Sequence, residues 1–321
     1  MPPRRVSGID ALLLLMTVIW GTNYSIVKHA FAEIDPQAFN AVRMVIGSAV
    51  FLCIIFGLQR FSRGGEPAPG AARIASIFHT PAALTRRDWA GLAGLGVVGH
   101  FFYQYCFIGG LAQTSVANSS LMLAATPVVI ALMTAVLGQD RVSGLHWLGA
   151  ALSVAGIYIV IGHAAPAGGG SLRGDLLMFA AVCCWAVYTL GARHLMVRHS
   201  PVGVTGLSMS IGTLLYVPAM WGHIRSVDWA AVSGRTWVAL AYSALFALCV
   251  AYTIWYMAVR EIGSARTSVY SNLVPLVAML TAVLFLGERL GATRLLGACA
   301  VLIGVALTRV GRTTVPIPAE E

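Results

Sequence analysis

The strongest constraint on this chain is its succession of long apolar runs. Ten can be read along it, near 10–32, 36–58, 89–111, 114–138, 143–162, 174–198, 202–223, 235–259, 263–286 and 290–309. Each is long enough for a helix to cross a hydrocarbon core, which takes roughly 20 apolar residues. In lipid a backbone must satisfy its own N–H and C=O groups, which leaves helices or a closed barrel. Barrel strands would read as short alternating segments, and the runs do not alternate. The expectation is an all-α integral membrane protein with ten transmembrane helices. Composition agrees, with 58% hydrophobic and 10% charged residues, against about 25% charged in an ordinary soluble domain. The 34 glycines and 13 prolines suit membrane helices, which tolerate both.

The formal net charge of +9 reads as topology rather than nucleic-acid binding. With the N-terminus in the cytoplasm, 14 of the 21 basic residues face inside, 6 face outside, and Arg43 lies within a span. Positive charge gathers on the cytoplasmic side, so both termini are expected there, in an inner or plasma membrane. The 59–88 loop carries five arginines and the stretch ARIASIF, which either lies on anionic headgroups or is solvated. The first run is not expected to be a cleaved leader, because a matching segment recurs at 175–201. The six cysteines fall inside the runs, without metal or disulfide spacing. They read as small packing residues, and neither metal nor cofactor is expected.

The chain repeats itself. Trp20, Lys28-His29 and Pro36 reappear 165 residues on as Trp185, Arg193-His194 and Pro201, and Asp10 maps onto Asp175. TPVVIALMTAVLGQDR at 126–141 matches VPLVAMLTAVLFLGER at 274–289 at an offset of 148, the difference between Pro275 and Pro127. Gly149 and Gly156 then map onto Gly297 and Gly304. The offset falls because the first half has a longer loop between its second and third helices. Two five-helix units are expected, 1–165 and 166–321, joined through a Gly-rich linker. Five is odd, so the second unit enters the membrane inverted, a plan that transporters use for alternating access. Pro127 and Pro275 fall near mid-span. They read as paired helix kinks, lining a cavity or serving packing alone.

The sequence resembles the drug/metabolite transporter superfamily in its EamA-type branch. The residues that carry the resemblance are WGTNYSIVKHAF in the first helix and GHFFYQYCFIGGLAQTSVANSSLMLAATPVVIALMTAVLGQDR through the third and fourth. AYTIWYMAVREIGSARTSVYSNLVPLVAMLTAVLFLGERL through the eighth and ninth and the closing GACAVLIGVALT complete it. It covers nearly the whole chain. It implies ten helices in two EamA repeats and the movement of small metabolites. One departure is GQDR, with Asp140 where the family has Glu.

Polar and aromatic residues inside the spans are the candidate substrate site, since lipid exposure would cost them several kcal/mol. Trp20 and Asn23 share a helix face, as do Trp185 and Tyr188. The third helix offers His100, Tyr103, Gln104 and Phe107, and the eighth Tyr252, Trp255 and Tyr256. Asn118, Met122 and Tyr270 come from the fourth and ninth. At offset 148, Gln104 maps to Tyr252, Phe107 to Trp255 and Met122 to Tyr270. The aromatic residues line a cavity or pack a core. Asn23, His100 and Gln104 either meet a ligand or bridge helices. Trp89, Trp147, Trp221, Trp229 and Trp237 sit near span ends as interfacial anchors. Lys28 and Arg193, also near span ends, are expected to snorkel to the headgroups, with a gate or helix-end role as the alternative.

A cavity of this kind suits a small amphipathic solute, amino-acid-like or drug-like, and its carrier would be an exporter. A carrier of anionic or phosphorylated metabolites is the alternative within transporters, but it should bury several Lys or Arg residues. No Gly-Lys-Ser/Thr phosphate loop occurs, since His29 follows the only lysine. The energy source is then a gradient or none. His100 is the mid-span histidine and the candidate proton site. A membrane enzyme or a receptor is the rival class. There is no HExxH motif, and neither rival needs an inverted duplication. The partners implied are a small-molecule substrate and the lipid bilayer, with no nucleic acid.

Overall fold

The computed structural model describes residues 8–61, 77–78, 82–136, 141–142, 144–162, 171–262, 267, 270–288, 291–310 and 312–313. Among these the chain is helical apart from one two-residue antiparallel pairing, Arg141–Val142 (β1) with Arg312–Thr313 (β2). The helices are α1 (Gly8–Ala30), α2 (Pro36–Phe61), α3 (Arg86–Gln113), α4 (Val116–Ala124), α5 (Thr126–Val136) and α6 (Gly144–Gly162). Then follow α7 (Leu172–Met196), α8 (Pro201–Ala219), the short α9 (Trp221–Arg225), α10 (Gly234–Glu261), α11 (Val274–Leu286) and α12 (Ala292–Val310).

Side-chain caps start the helices where the sequence turns polar. Thr85 and Asp88 form a reciprocal box at α3: Thr85 Oγ1 accepts from Asp88 N at 3.2 Å, and Asp88 Oδ2 accepts from Thr85 N at 2.9 Å. Ser115, Ser171, Ser200 and Ser233 cap α4, α7, α8 and α10 through the backbone N–H three residues on. Gly287, at φ 64°, closes α11 in the left-handed region that glycine enters without penalty.

Six helices are long and apolar enough to cross a bilayer: α1, α2 over Pro36–Gly57, α3, α7, α8 and α10. The run at 114–138 differs from its expected single span. It divides at Ala125 into α4 and α5. Pro127 stands at the second position of α5 and Pro275 at the second position of α11. The first turn of a helix is where a missing N–H costs nothing.

Both α3 and α10 change pitch midway. Gly96–Phe102 and Ser243–Val250 are π-helical, with ordinary α-helix on either side. Such segments re-aim side chains and recur at functional sites.

One hydrophobic core runs through α1, α2, α3, α7, α8 and α10, and α6 and α12 pack on each other beside it. The α6–α12 contact is backbone to backbone. A Cβ on Gly156 would meet Gly297 O at 2.8 Å, and one on Gly304 would meet Gly149 O at 2.6 Å. Small residues permit this approach. Ile77 and Phe78, the end of ARIASIF, pack against the main core; the rest of that stretch lies outside the described residues.

Candidate functional site

The aromatic residues singled out in the sequence meet inside the bundle. Trp20 of α1 touches Trp185 of α7 edge-on at 6.4 Å between ring centroids, and Tyr252 and Trp255 of α10 at 5.9 and 5.6 Å. Trp185 in turn contacts Tyr103 at 5.1 Å, Tyr252 at 5.5 Å and Tyr188 at 5.7 Å. Phe107 stacks on Tyr103 at 5.7 Å, and Tyr256 lies against Tyr188 and Tyr252. Edge-to-face pairs of this kind add about 0.5–1.5 kcal/mol each beyond their burial. The rings touch one another and fill the space between the helices.

The π turns position this cluster. His100 lies in the π turn of α3, and Tyr103, Gln104 and Phe107 follow it. In α10 the π turn presents Ala247 O outward from the ladder, and Trp20 Nε1 donates to it at 3.0 Å. This bond fixes the indole across the gap between α1 and α10. His100 Nε2 pairs with the Tyr188 hydroxyl at 3.2 Å and its ring meets Tyr188 edge-on. The Tyr188 hydroxyl reaches Ser208 of α8 at 3.4 Å.

Several buried polar atoms near these residues have no hydrogen-bond partner in the protein. They include Asn23 Oδ1, His100 Nδ1, Asn118 Oδ1, Trp255 Nε1 and the Tyr256 hydroxyl. A buried polar atom left unpaired costs about 1–3 kcal/mol. Asn40 Oδ1, Ser119 Oγ and Thr205 Oγ1 elsewhere in the bundle are unpaired as well, and either a ligand or ordered water can complete such atoms.

The other candidates are placed as follows. Met122 is buried in the same core. Asn118 sits at the α3–α4 turn, where its Nδ2 reaches Thr114 Oγ1 at 3.4 Å. Tyr270 donates its hydroxyl to Asp10 Oδ1 at 2.7 Å near the start of α1. Tyr24, not singled out in the sequence, packs edge-on against Phe107 at 5.5 Å; its place beside Asn23 was the available signal. Trp89, Trp147, Trp221 and Trp237 are all more than 40% exposed, as anchors at a bilayer surface would be.

Lys28 corrects its expectation. It does not snorkel. Its Nζ turns inward and donates to Leu111 O at 2.7 Å, Ala112 O at 3.0 Å and Thr114 O at 2.8 Å, the free carbonyls that end α3. A cation belongs at that negative pole of a helix. Arg193, its counterpart in the repeat, is exposed. Beside Lys28, Glu288 accepts from the first N–H groups of α4, Val116 at 2.8 Å and Ala117 at 3.3 Å, and Thr114 Oγ1 donates to Asp175 at 2.7 Å. One end of the bundle is thus closed around the α3–α4 turn by residues from α1, α7 and the end of α11. The other end is tied by Asp88 with Arg198 at 3.6 Å and by Tyr270 with Asp10.

Residues separated by the repeat offsets touch each other. Ser48 and Thr213 share a hydrogen bond of 2.8 Å across 165 positions, the offset that also relates Trp20 to Trp185. Ser153 Oγ donates to Val301 O at 3.3 Å across 148 positions.

The described residues hold no group of three or more His, Cys, Asp or Glu side chains placed to bind a metal. Comparison with known proteins fits a carrier. An "Uncharacterized transporter YyaM" of Bacillus subtilis is 25% identical over 96% of this chain and 95% of its own. An "Uncharacterized transporter" of Archaeoglobus fulgidus is 26% identical over 94% and 97%. A protein of Streptantibioticus cattleyicolor named "Probable terminal-alkyne amino-acid exporter" is 26% identical over 69% of this chain and 73% of its own. A solved crystal structure superposes with a TM-score of 0.60 at 19% identity, covering 95% of this chain and 99% of that one, a likeness of fold. The EamA-like transporter family matches over residues 8–162 and again over 172–310. This chain is therefore a multi-pass membrane protein belonging to the EamA-like transporter family, whose members move small molecules.

Proposed function

We propose that this chain is a secondary transporter that exports small amphipathic, amino-acid-like solutes by alternating access, with the aromatic cluster as its solute site. The observation that carries the reading is the meeting of Trp20 and Trp185 at 6.4 Å in the bundle interior. They occupy the same position in two copies of one sequence word. In two units related by a two-fold axis, equivalent residues can touch only near that axis. Ser48 with Thr213 and Ser153 with Val301 support the same axis, as do the reciprocal glycine contacts of α6 and α12.

On this reading the chain has ten spans in two inverted units, 1–165 and 166–321, with both termini in the cytoplasm of an inner or plasma membrane. The spans beyond the six long helices are α4 with α5, α6, the 263–286 region with α11, and α12. Rocking one unit against the other opens the cluster to each side in turn. Trp, Tyr and Phe faces hold apolar groups and cations, while Asn23, Gln104 and Asn118 supply directional hydrogen bonds. The amino-acid exporter among the relatives favours this solute class. His100 is the proton-coupling candidate of the proposal, as the histidine of the cluster, with Nδ1 unpaired in the protein.

Uptake of labelled L-phenylalanine into everted vesicles, with unlabelled competitors and a protonophore, tests the function. The expected result is saturable uptake, competed by amino acids and amines and lost with protonophore. Competition by sugar phosphates alone would overturn the solute class. Uptake indifferent to protonophore would remove the proton and His100's part in it.

A further inference from the structure

Arg43 lies about two turns into α2, with 1% of its surface exposed. Its Nη2 donates to Gln104 Oε1 at 2.6 Å and its Nη1 to Ser243 Oγ at 3.0 Å, while Nε has no partner. No carboxylate among the described residues forms an ion pair with it. Guanidinium stays charged in proteins, and a buried charge without a counterion costs several kcal/mol. A carboxamide and a hydroxyl orient the group but do not neutralise it.

Its location relates that charge to the solute site. Gln104 is one turn beyond His100 on α3 and adjacent to Tyr103, whose ring touches Trp185. Ser243 opens the π turn of α10 that holds Trp20 through Ala247. The guanidinium therefore ties together the two helices whose π turns frame the cluster. Trp255 Nε1 on α10 is an unpaired donor like Arg43 Nε. An interior that holds an uncompensated positive charge is complementary to an anion. With a single guanidinium and neutral neighbours, one negative charge balances it.

We propose that Arg43 receives the carboxylate of the transported solute, supplying the counterion that the protein itself does not. The solute class is then a carboxylate with an apolar or aromatic body, amino acids among them. The carboxylate bonds to the guanidinium fork, and the body displaces ring contacts in the cluster. The inference rests on the aromatic cluster being the solute site.

Calorimetric titration of the purified full-length protein in lipid nanodiscs tests it. The probes are L-phenylalanine, 3-phenylpropionate, L-phenylalaninamide and 2-phenylethylamine. In the unaltered protein the two acids should bind about tenfold or more tighter than the amide and the amine, the scale of one hydrogen bond to a charged group. In Arg43→Gln the acid-over-amide ratio should fall to about one, with Arg43→Lys between the two. An amide that binds as well as its acid, an acid preference that survives Arg43→Gln, or no binding of either acid would each overturn the proposal. If Arg43→Gln does not yield monodisperse protein, the acid–amide comparison and Arg43→Lys decide. Trp185→Leu separates the two readings. Loss of all four probes in Trp185→Leu without any acid preference in the parent would keep the cluster and reject Arg43. Acid binding intact in Trp185→Leu but lost in Arg43→Gln would keep Arg43 and reject the cluster.

Discussion

Trp185 makes ring contacts with Trp20, Tyr103, Tyr188 and Tyr252, so its truncation opens the aromatic packing on several sides at once. Trp185→Ala is expected to cost about 3–5 kcal/mol of stability, the usual range for a large buried aromatic. Trp185→Phe should recover most of it. Transport should fall with Ala and partly return with Phe. If thermal unfolding of the Ala variant matches the parent, the cluster is not packed as described. His100 differs in kind, because its Nε2 is engaged by Tyr188 while Nδ1 is unpaired. His100→Gln can still bond Tyr188 but cannot titrate. It should keep solute binding and lose the dependence of transport on a pH gradient. The aromatic members of the site were legible in the sequence because they stand mid-span, where no bilayer-surface role explains them. What each polar side chain bonds was not legible. Lys28 reads as a snorkelling lysine from its place near a span end, and only the approach of α3 shows that three carbonyls claim it. Gln104 gives no hint, sixty-one positions from Arg43, that it accepts from that guanidinium.

Among the elements, α6 and α12 are the most tightly matched pair. A Cβ on Gly304 would sit 2.4 Å from Ser153 Oγ and 2.6 Å from the carbonyl of Gly149. Backbone cannot step aside as a flexible side chain can. Gly304→Ala should therefore cost about 1–3 kcal/mol by overpacking, read as a lower unfolding midpoint in detergent. An unchanged midpoint would mean that the helices separate easily. The repeat offset identified these glycines as a pair, since sequence spacing alone relates 156 to 304. The π turns of α3 and α10 escaped the sequence. Helical periodicity averaged over twenty apolar residues hides a local change of pitch, and Gly96–Phe102 and Ser243–Val250 share no residue pattern that demands one. The division at Ala125 was hidden too. No charged residue interrupts 114–138, and hydropathy records burial in lipid without recording continuity of hydrogen bonds.

At the scale of the molecule, the two ends of the bundle are closed by different chemistry. On the end that carries Lys28, Glu33 adds a tie outside the spans. It accepts from Ser233 Oγ and Ser233 N, each at 2.9 Å. These bonds hold its carboxyl below the usual carboxylate range. A carboxylate with a depressed folded pKa stabilises the fold above its unfolded pKa of about 4.3 and loses that contribution as pH falls through the folded value. Glu33→Gln should therefore lower the unfolding midpoint at neutral pH, with the difference closing as the solution is acidified. A difference that persists unchanged into strong acid would rule out the carboxylate as its source. The helical, multi-pass character of the whole was the most legible part. Apolar run lengths and a duplicated word are properties of the chain itself, whereas the ties at each end depend on which helices the fold brings together.

Lys28 is the chain's sole lysine, and its amine is held by three carbonyls at the α3 terminus. The protein therefore carries a built-in chemical reporter at one mouth. While the amine is held there, the surrounding carbonyls screen it from acylating reagents. On the proposed alternating-access reading, parting of that end would expose the one lysine side chain to such a reagent. The rate at which an amine-selective reagent marks residue 28, followed by peptide mass spectrometry, would time the opening in the unmodified polypeptide. A solute that favours the sealed form should slow the marking, and one that draws the mouth apart should hasten it.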